Sequence, residues 1–265
     1  MNFKLLFPTY RTRYRFVVES LQEITRGEPC EKMLNVGSGE GDIDPALSQF
    51  TRALSSCDIN EDDVAHARSV NASLAHVSYS VENAEALRFE DETFDIVTCL
   101  EVIEHVSDPA KVISEIARVL KPHGQAIVTV PNAQFPATYD PINRALAPFG
   151  RHISMGAYGY GHSWLVEDTQ IEGWFSAAHL HVQKKDHLSK ALASAVECYW
   201  PGAFQKLFKP NAGNVAGGAK KTGIRGSAGD PPMLGLVDAF IAADRALFSQ
   251  STRAVGLAYV VTKDA

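Results

Sequence analysis

The chain has 265 residues, of which 45% are hydrophobic and 21% charged, enough apolar material for the core of one large domain or of one domain with an elaboration. A formal net charge of -6 argues against a general attraction to nucleic acid, and four cysteines with no CxxC spacing argue against a zinc site or disulfide framework and for a reducing, cytoplasmic compartment. The N-terminal stretch reads as neither a signal peptide nor a spanning helix, and no run is long enough to cross a bilayer, so no transmembrane segment is expected.

Residues from Pro8 to Thr25 read as a helix, with Phe16, Val17, Leu21 and Ile24 at helical spacing and Arg11, Arg13 and Arg15 around them. Residues 1–30 are thus expected to be an N-terminal helical cap segment, ahead of a domain over 31–265. Short apolar runs at Lys32–Val36, Arg52–Cys57, Val77–Val81, Phe94–Leu100 and Gln125–Val130 alternate with amphipathic stretches such as Glu61–Ser69 and Pro109–Leu120. That alternation predicts a doubly wound, mostly parallel α/β sheet. Asn60 is placed to cap the helix after the second strand, Asp108 with Pro109 to start the helix after the fourth, and Pro122 with Gly124 to stop it. Beyond Pro131 the pattern loosens, and 133–165 and 187–235 read as variable regions. A helix is expected over Glu167–His179, a strand at His181–Asp186, and a long loop at Lys209–Pro232. A helix marked by Leu236, Phe240, Ala243 and Leu247 and a final strand Val255–Lys263 follow.

The most informative segment is Met33–Asp42, where a strand feeds a turn of alternating glycines, Gly37, Gly39 and Gly41. Glycine there permits the tight turn and lets backbone approach a ligand. Asp58 ends the next strand, where a carboxylate can accept from ribose hydroxyls. Dinucleotides and S-adenosylmethionine both use this layout. A pyrophosphate prefers GxGxxG at a helix N-terminus, whereas the spacing here is GxGxG followed by Asp42, a carboxylate that repels phosphate and tolerates a sulfonium and an amino group. The methyl donor is favoured.

The segments Glu82-Asn83-Ala84-Glu85-Ala86-Leu87, Phe94-Asp95-Ile96-Val97, Glu104-His105-Val106, Leu120-Lys121-Pro122-His123-Gly124 and Val130-Pro131-Asn132 follow in order. With the glycine turn and Asp58 they make Leu34–Asn132 resemble the core of class I S-adenosylmethionine-dependent methyltransferases, most closely in motifs the ubiquinone-type O-methyltransferases. The resemblance implies a Rossmann-like, seven-stranded sheet with one antiparallel strand and an added C-terminal or cap region. It implies that Gly37, Ser38, Gly39 and Gly41 cradle the methionine part and ribose, that Asp58 binds the ribose hydroxyls, and that Ile59 packs on the adenine. Asn83 and Ala84 would meet the adenine edge, Leu100 would lie under the donor, and Arg13 would meet the donor carboxylate. Asn83 and Asn35 both stand where the family commonly has Asp.

Glu101, Glu104 and His105 follow the fourth strand; on a helical turn they would share one face and could hold Mg²⁺, as in the small-RNA 3′-end 2′-O-methyltransferases. In metal-free class I enzymes the same Glu-His-Val caps a helix and lines the donor pocket. His105 is a candidate base. The Gly161-His162-Ser163-Trp164 string resembles a segment of ubiquinone-type enzymes and makes His162 a second candidate, with Tyr158, Tyr160 and Trp164 as pocket walls. Residues Tyr199–Lys209 mix aromatics with lysines, which suits a lipid surface, a lid or plain core packing.

The expected activity is methyl transfer from S-adenosylmethionine to a hydroxyl of a small-molecule or lipid-like metabolite, with S-adenosylhomocysteine as product. One alternative is a metal-dependent RNA 3′-terminal 2′-O-methyltransferase, for which Lys220, Lys221 and Arg225 form only a modest basic patch. Another is a non-catalytic binding protein on the same fold.

Overall fold

A computed structural model describes residues 3–135, 145–151, 165–197, 231 and 233–265. Its centre is a seven-stranded sheet in the order β3-β2-β1-β4-β5-β7-β6. The strands are β1 (Cys30–Val36), β2 (Thr51–Asp58), β3 (Val77–Val81), β4 (Phe94–Leu100), β5 (Leu120–Pro131), β6 (Leu180–Leu188) and β7 (Gly256–Lys263). Strands β1 to β5 pair in parallel, and β7 runs antiparallel to both β5 and β6. The doubly wound, mostly parallel expectation holds, including its one antiparallel strand.

Period-2 alternation decides what covers each face. Met33, Leu54, Ile96, Ile127 and Val260 pack with Phe16, Val17 and Leu21 of α1 (Pro8–Thr25) and Leu47 of α2 (Asp44–Leu47). Leu34, Val97, Cys99, Val128 and Tyr259 pack on the other face with Val112, Ile113 and Ile116 of α4 (Pro109–Val119) and Phe175 of α5 (Asp168–Ala177). Each fully buried Val, Leu or Ile contributes about 1.5–3 kcal/mol, so these two layers supply most of the apolar stabilisation.

The caps fall where the side chains dictate. Asn60 Oδ1 accepts from Asp62 N at 3.0 Å and Asp63 N at 3.3 Å at the start of α3 (Glu61–Val70), and Asp108 Oδ1 accepts from Lys111 N at 3.1 Å ahead of α4. Strand β5 begins five residues earlier than expected. Phe94 pairs with Leu120 and Ile96 with Gln125, so Lys121–Gly124 is an excursion within the strand, not a separate stop after the helix.

The helix α7 (Leu234–Leu247) is present, with its buried side turned by about one residue from the stripe and Phe240 half-buried. Leu236 is 64% exposed and Leu247 70%, whereas Ile241 and Asp244 are buried. Polar partners set this orientation: Asp238 accepts from Arg11 of α1 twice at 3.0 Å, and Asp244 caps α6 (Ala191–Glu197) by accepting from Lys190 N at 2.6 Å and Leu192 N at 2.8 Å. Among the described residues no helix is long and apolar enough to cross a membrane.

Candidate functional site

Strand β1 ends in a turn whose glycines Gly37, Gly39 and Gly41 hold φ of 74°, 51° and 76°, in the left-handed region. A Cβ on Gly37 would collide with the Val102 side chain, and one on Gly41 would stand 2.7 Å from Asn71 Nδ2 and 2.8 Å from Ala67. Among the described residues nothing lies within 4 Å of a Cβ on Gly39, at the carboxyl ends of the parallel strands, where such sheets place their ligands.

The turn is tied to β2. Cys57 O accepts from Gly37 N at 2.8 Å and Ser38 N at 2.9 Å. Asp58 accepts from Gly39 N at 2.8 Å through one oxygen and from Asn60 N at 2.9 Å through the other. Its carboxylate is therefore oriented by backbone while retaining lone pairs for a ligand. Beside it Ile59 is 70% exposed, an apolar surface suited to covering an aromatic ring. Asn83 Oδ1 accepts from Glu85 N at 2.9 Å, so the amide oxygen expected to meet the adenine amino group already closes its own turn. Ala84 and Leu100 are half-buried.

A buried polar network holds the turn from below. Thr98 Oγ1 donates to Asn35 Oδ1 at 2.9 Å, Asn35 Nδ2 donates to Asp44 Oδ1 at 2.8 Å, and Ser56 Oγ donates to the same oxygen at 2.8 Å. Asn71 Nδ2 donates to Gly41 O at 3.0 Å and to the Tyr79 hydroxyl at 2.9 Å. Burial pushes the Asp44 carboxyl above its ordinary value, against the hydrogen bonds from Ser56 and Asn35. Burial and the Asp44 charge likewise push the Tyr79 phenol up. On the outer side of the turn Asp42 does not act alone, since Lys4 pairs with it and lies 3.8 Å from Glu40. The repulsion of phosphate expected from a bare Asp42 is thus partly neutralised.

After β4 the chain breaks direction at Glu101, a non-glycine residue with φ of 55°. Glu101 N donates to Thr129 O at 3.0 Å, its Oε1 accepts from Thr129 Oγ1 at 2.9 Å, and its Oε2 lies 2.8 Å from Arg13 Nη1. Burial works against the Arg13 charge, but the Glu101 carboxylate outweighs it and raises the guanidinium pKa. Ile103–His105 is a 3-10 turn, not α-helix. Glu104 points inward and is fully buried, neither oxygen having a hydrogen-bond partner among the described residues, and burial followed by the Glu101 charge pushes its carboxyl well up. His105 points outward, its Nε2 3.8 Å from Glu104 Oε1.

The shared face expected of Glu101, Glu104 and His105 is therefore not formed. Glu101 sits outside any helix and is held by Arg13 and Thr129, while Glu104 and His105 diverge. Among the described residues no three His, Cys, Asp or Glu side chains are grouped so as to hold a metal ion, and the Mg²⁺ expectation does not fit this arrangement.

For the methyl donor the residues do fit. The turn is open at Gly39, Asp58 is oriented, Ile59 is bare, and just after β1 the enclosed Ser38 hydroxyl has no partner among the described residues. The structure brings Gly37–Gly41, Asp58 and Ile59 together and pairs Arg13 with Glu101. His162, Tyr158, Tyr160, Trp164, the 199–209 stretch, Lys220, Lys221 and Arg225 lie outside the described residues, as do most of the variable regions expected to meet the acceptor. Sequence reasoning missed Asp44, Ser56, Asn71 and Thr98. Only the Asp44-Pro45 pair, a helix-start signal just after the turn, could have drawn notice to one of them.

A family profile described as a methyltransferase domain matches residues 34–128. The chain is 30% identical over 163 residues to a ubiquinone biosynthesis O-methyltransferase of Xanthomonas campestris pv. campestris. That match covers 58% of this chain and 64% of the relative, so the chain spans somewhat less than two thirds of the relative's length. In fold it is similar to a Haemonchus contortus phosphoethanolamine N-methyltransferase (TM-score 0.59, 17% identity, 95% of this chain and 53% of the other). It is similar as well to the [4+2]-cyclase SpnF (TM-score 0.58, 19% identity, 94% and 81%). The match over 34–128 shows that this chain carries a methyltransferase domain there, and the strand order and the solved structures show the class I methyltransferase fold.

Proposed function

We propose that this chain transfers a methyl group from S-adenosylmethionine to a hydroxyl of a small-molecule or lipid-like metabolite. The observation that carries the reading is the glycine turn, open at Gly39 and facing an Asp58 held by two backbone N–H groups beside a bare Ile59. Asp58 would accept from the ribose hydroxyls, the Gly37–Gly41 backbone would hold the methionine part, and Ile59 and Ala84 would cover the adenine. When bound, the donor supplies an electrophilic methyl on a charged sulfur. The protein then has to position the acceptor oxygen, exclude water and take up its proton. His105, exposed on the 3-10 turn after β4, would be a candidate to take that proton, and His162 is a second candidate outside the described residues. Arg13 would turn to the donor carboxylate from its partner Glu101.

The hydroxyl acceptor is supported by the relatives named as ubiquinone biosynthesis O-methyltransferases. Unpaired Cys30, Cys57 and Cys99 fit a reducing cytoplasm. The RNA-terminal alternative loses support with the divergence of Glu101, Glu104 and His105. Calorimetry with S-adenosylhomocysteine tests the reading. The unaltered chain should bind, Asp58→Ala should weaken binding by about a hundredfold through loss of two charge-assisted hydrogen bonds, and His105→Ala should bind normally. An unaltered chain that binds neither donor nor product would move the protein to the non-catalytic class.

A further inference from the structure

Asp44 is fully buried, yet its hydrogen-bond partners are neutral. Among the described residues no Lys, Arg or His pairs with it, and Oδ2 makes no hydrogen bond of normal geometry. A carboxylate so placed is costly to desolvate, and a carboxamide would accept the same two hydrogen bonds without an ion to bury. The Tyr79 hydroxyl, also neutral, and the start of the short α2 favour an acceptor at this position but bring no cation to it. Its place gives a reason for the acid. Oδ2 stands 3.1 Å from where a Cβ on Gly41 would lie, and Asp44 N donates to Gly41 O at 3.3 Å, so the charge sits directly beneath the glycine turn.

Asn35 completes the arrangement. Thr98 Oγ1 fills its oxygen, which leaves Nδ2 to donate to Asp44. An aspartate at position 35 would set two carboxylates 2.8 Å apart. Only one of the two positions can carry the charge.

We propose that Asn35 and Asp44 are an acid–amide pair in which Asp44 carries the negative charge beneath the glycine turn and so favours a cationic ligand over its neutral counterpart. The proposal rests on the reading of the turn as the donor site. S-adenosylmethionine and S-adenosylhomocysteine are the probes, since they differ in the sulfonium charge. Their dissociation constants would be measured by calorimetry at mildly alkaline pH for the parent, Asp44→Asn and the double variant Asn35→Asp/Asp44→Asn.

Asp44→Asn should weaken S-adenosylmethionine roughly five- to tenfold and S-adenosylhomocysteine less than about twofold, the size expected for one poorly screened charge. The double variant, which moves the charge to the neighbouring strand, should return the ratio to within about twofold of the parent value. Equal weakening of both ligands in Asp44→Asn, or a double variant that folds and binds without recovering the ratio, would overturn the proposal. If the double variant does not fold, the ratio in Asp44→Asn decides. A parent that binds neither ligand would remove the site reading and this proposal with it.

Discussion

Two carboxylates, one on each side of the sheet's switch from parallel to antiparallel pairing, meet opposite fates. Asp44 lies under the glycine turn among neutral donors, and burial leaves its pKa raised. Asp168 begins α5 against the antiparallel β6–β7 end, with Lys185 Nζ at 2.8 Å, the Tyr259 hydroxyl at 2.5 Å and His187 Nε2 at 3.0 Å. Burial pushes this carboxyl up too, but the hydrogen bonds from Lys185, Tyr259 and His187 outweigh it and leave the pKa lowered. Burial is common to both; a cation in contact is not. The antiparallel end uses its acid to fasten α5, β6 and β7 together, whereas the parallel end keeps an acid whose cost the fold does not offset.

Removing the fastening acid should have the largest effect on stability. Asp168→Ala leaves the Tyr259 hydroxyl in a fully buried residue without its acceptor and strips Lys185 of one of its two carboxylates, the other being Glu172 at 2.8 Å. A loss of about 3 kcal/mol is expected in urea unfolding, with S-adenosylhomocysteine affinity unchanged. A loss under about 1 kcal/mol would show that the cluster is surface decoration.

How much of this was legible in the sequence follows the same division. The parallel half reads well because each strand carries its own period and each helix its own cap, as at Asn60 and Asp108, and because the glycine turn needs residues that little else explains. The polar constellations were not legible. Ser56 and Thr98 are ordinary strand residues until β1, β2 and β4 align, and Asn71 reaches Gly41 from 30 residues away. The stripe Leu236–Leu247 misled because Asp238 and Asp244 found partners on α1 and α6 that outweighed it. Glu101, Glu104 and His105 misled because spacing implies a shared face only within a helix, and Glu101 breaks the chain at positive φ before one can start.

The pH dependence of stability sharpens the contrast, since the two acids should tilt it in opposite directions. A carboxyl with a lowered folded-state pKa adds stability above its unfolded value and loses it as pH falls through the folded value. Asp168→Asn should therefore be less stable than the parent at neutral pH, with the gap closing in strong acid. A carboxyl with a raised folded-state pKa subtracts stability above that pKa, and the penalty is relieved as pH falls through it. Asp44→Asn should thus match or exceed the parent at neutral and alkaline pH and lose the advantage on acidification. Thermal melts across the acid range check both. If the Asp44→Asn difference ran the same way as that of Asp168→Asn, the two environments would not be opposites.

The smallest effect is expected of Tyr259→Phe, and it isolates one contact of the cluster. The ring keeps its edge contact with Phe175, centroids 5.3 Å apart, and the Lys185 ammonium 5.7 Å from its centre. Only the hydroxyl donated to Asp168 is lost, which should cost about 1 kcal/mol at neutral pH. Because that hydroxyl helps hold the Asp168 pKa down, its removal raises the folded-state value toward the ordinary one. The remaining stabilisation should then disappear at a higher pH than in the parent as acid is added. Lys185 and His187 still hold the carboxylate, and Tyr259→Phe combined with Asp168→Ala should cost less than the sum of the two single changes, since both remove the same bond. Strict additivity would mean that the hydroxyl and the carboxylate do not act on each other, and the antiparallel end would lose its claim to be a coupled cluster.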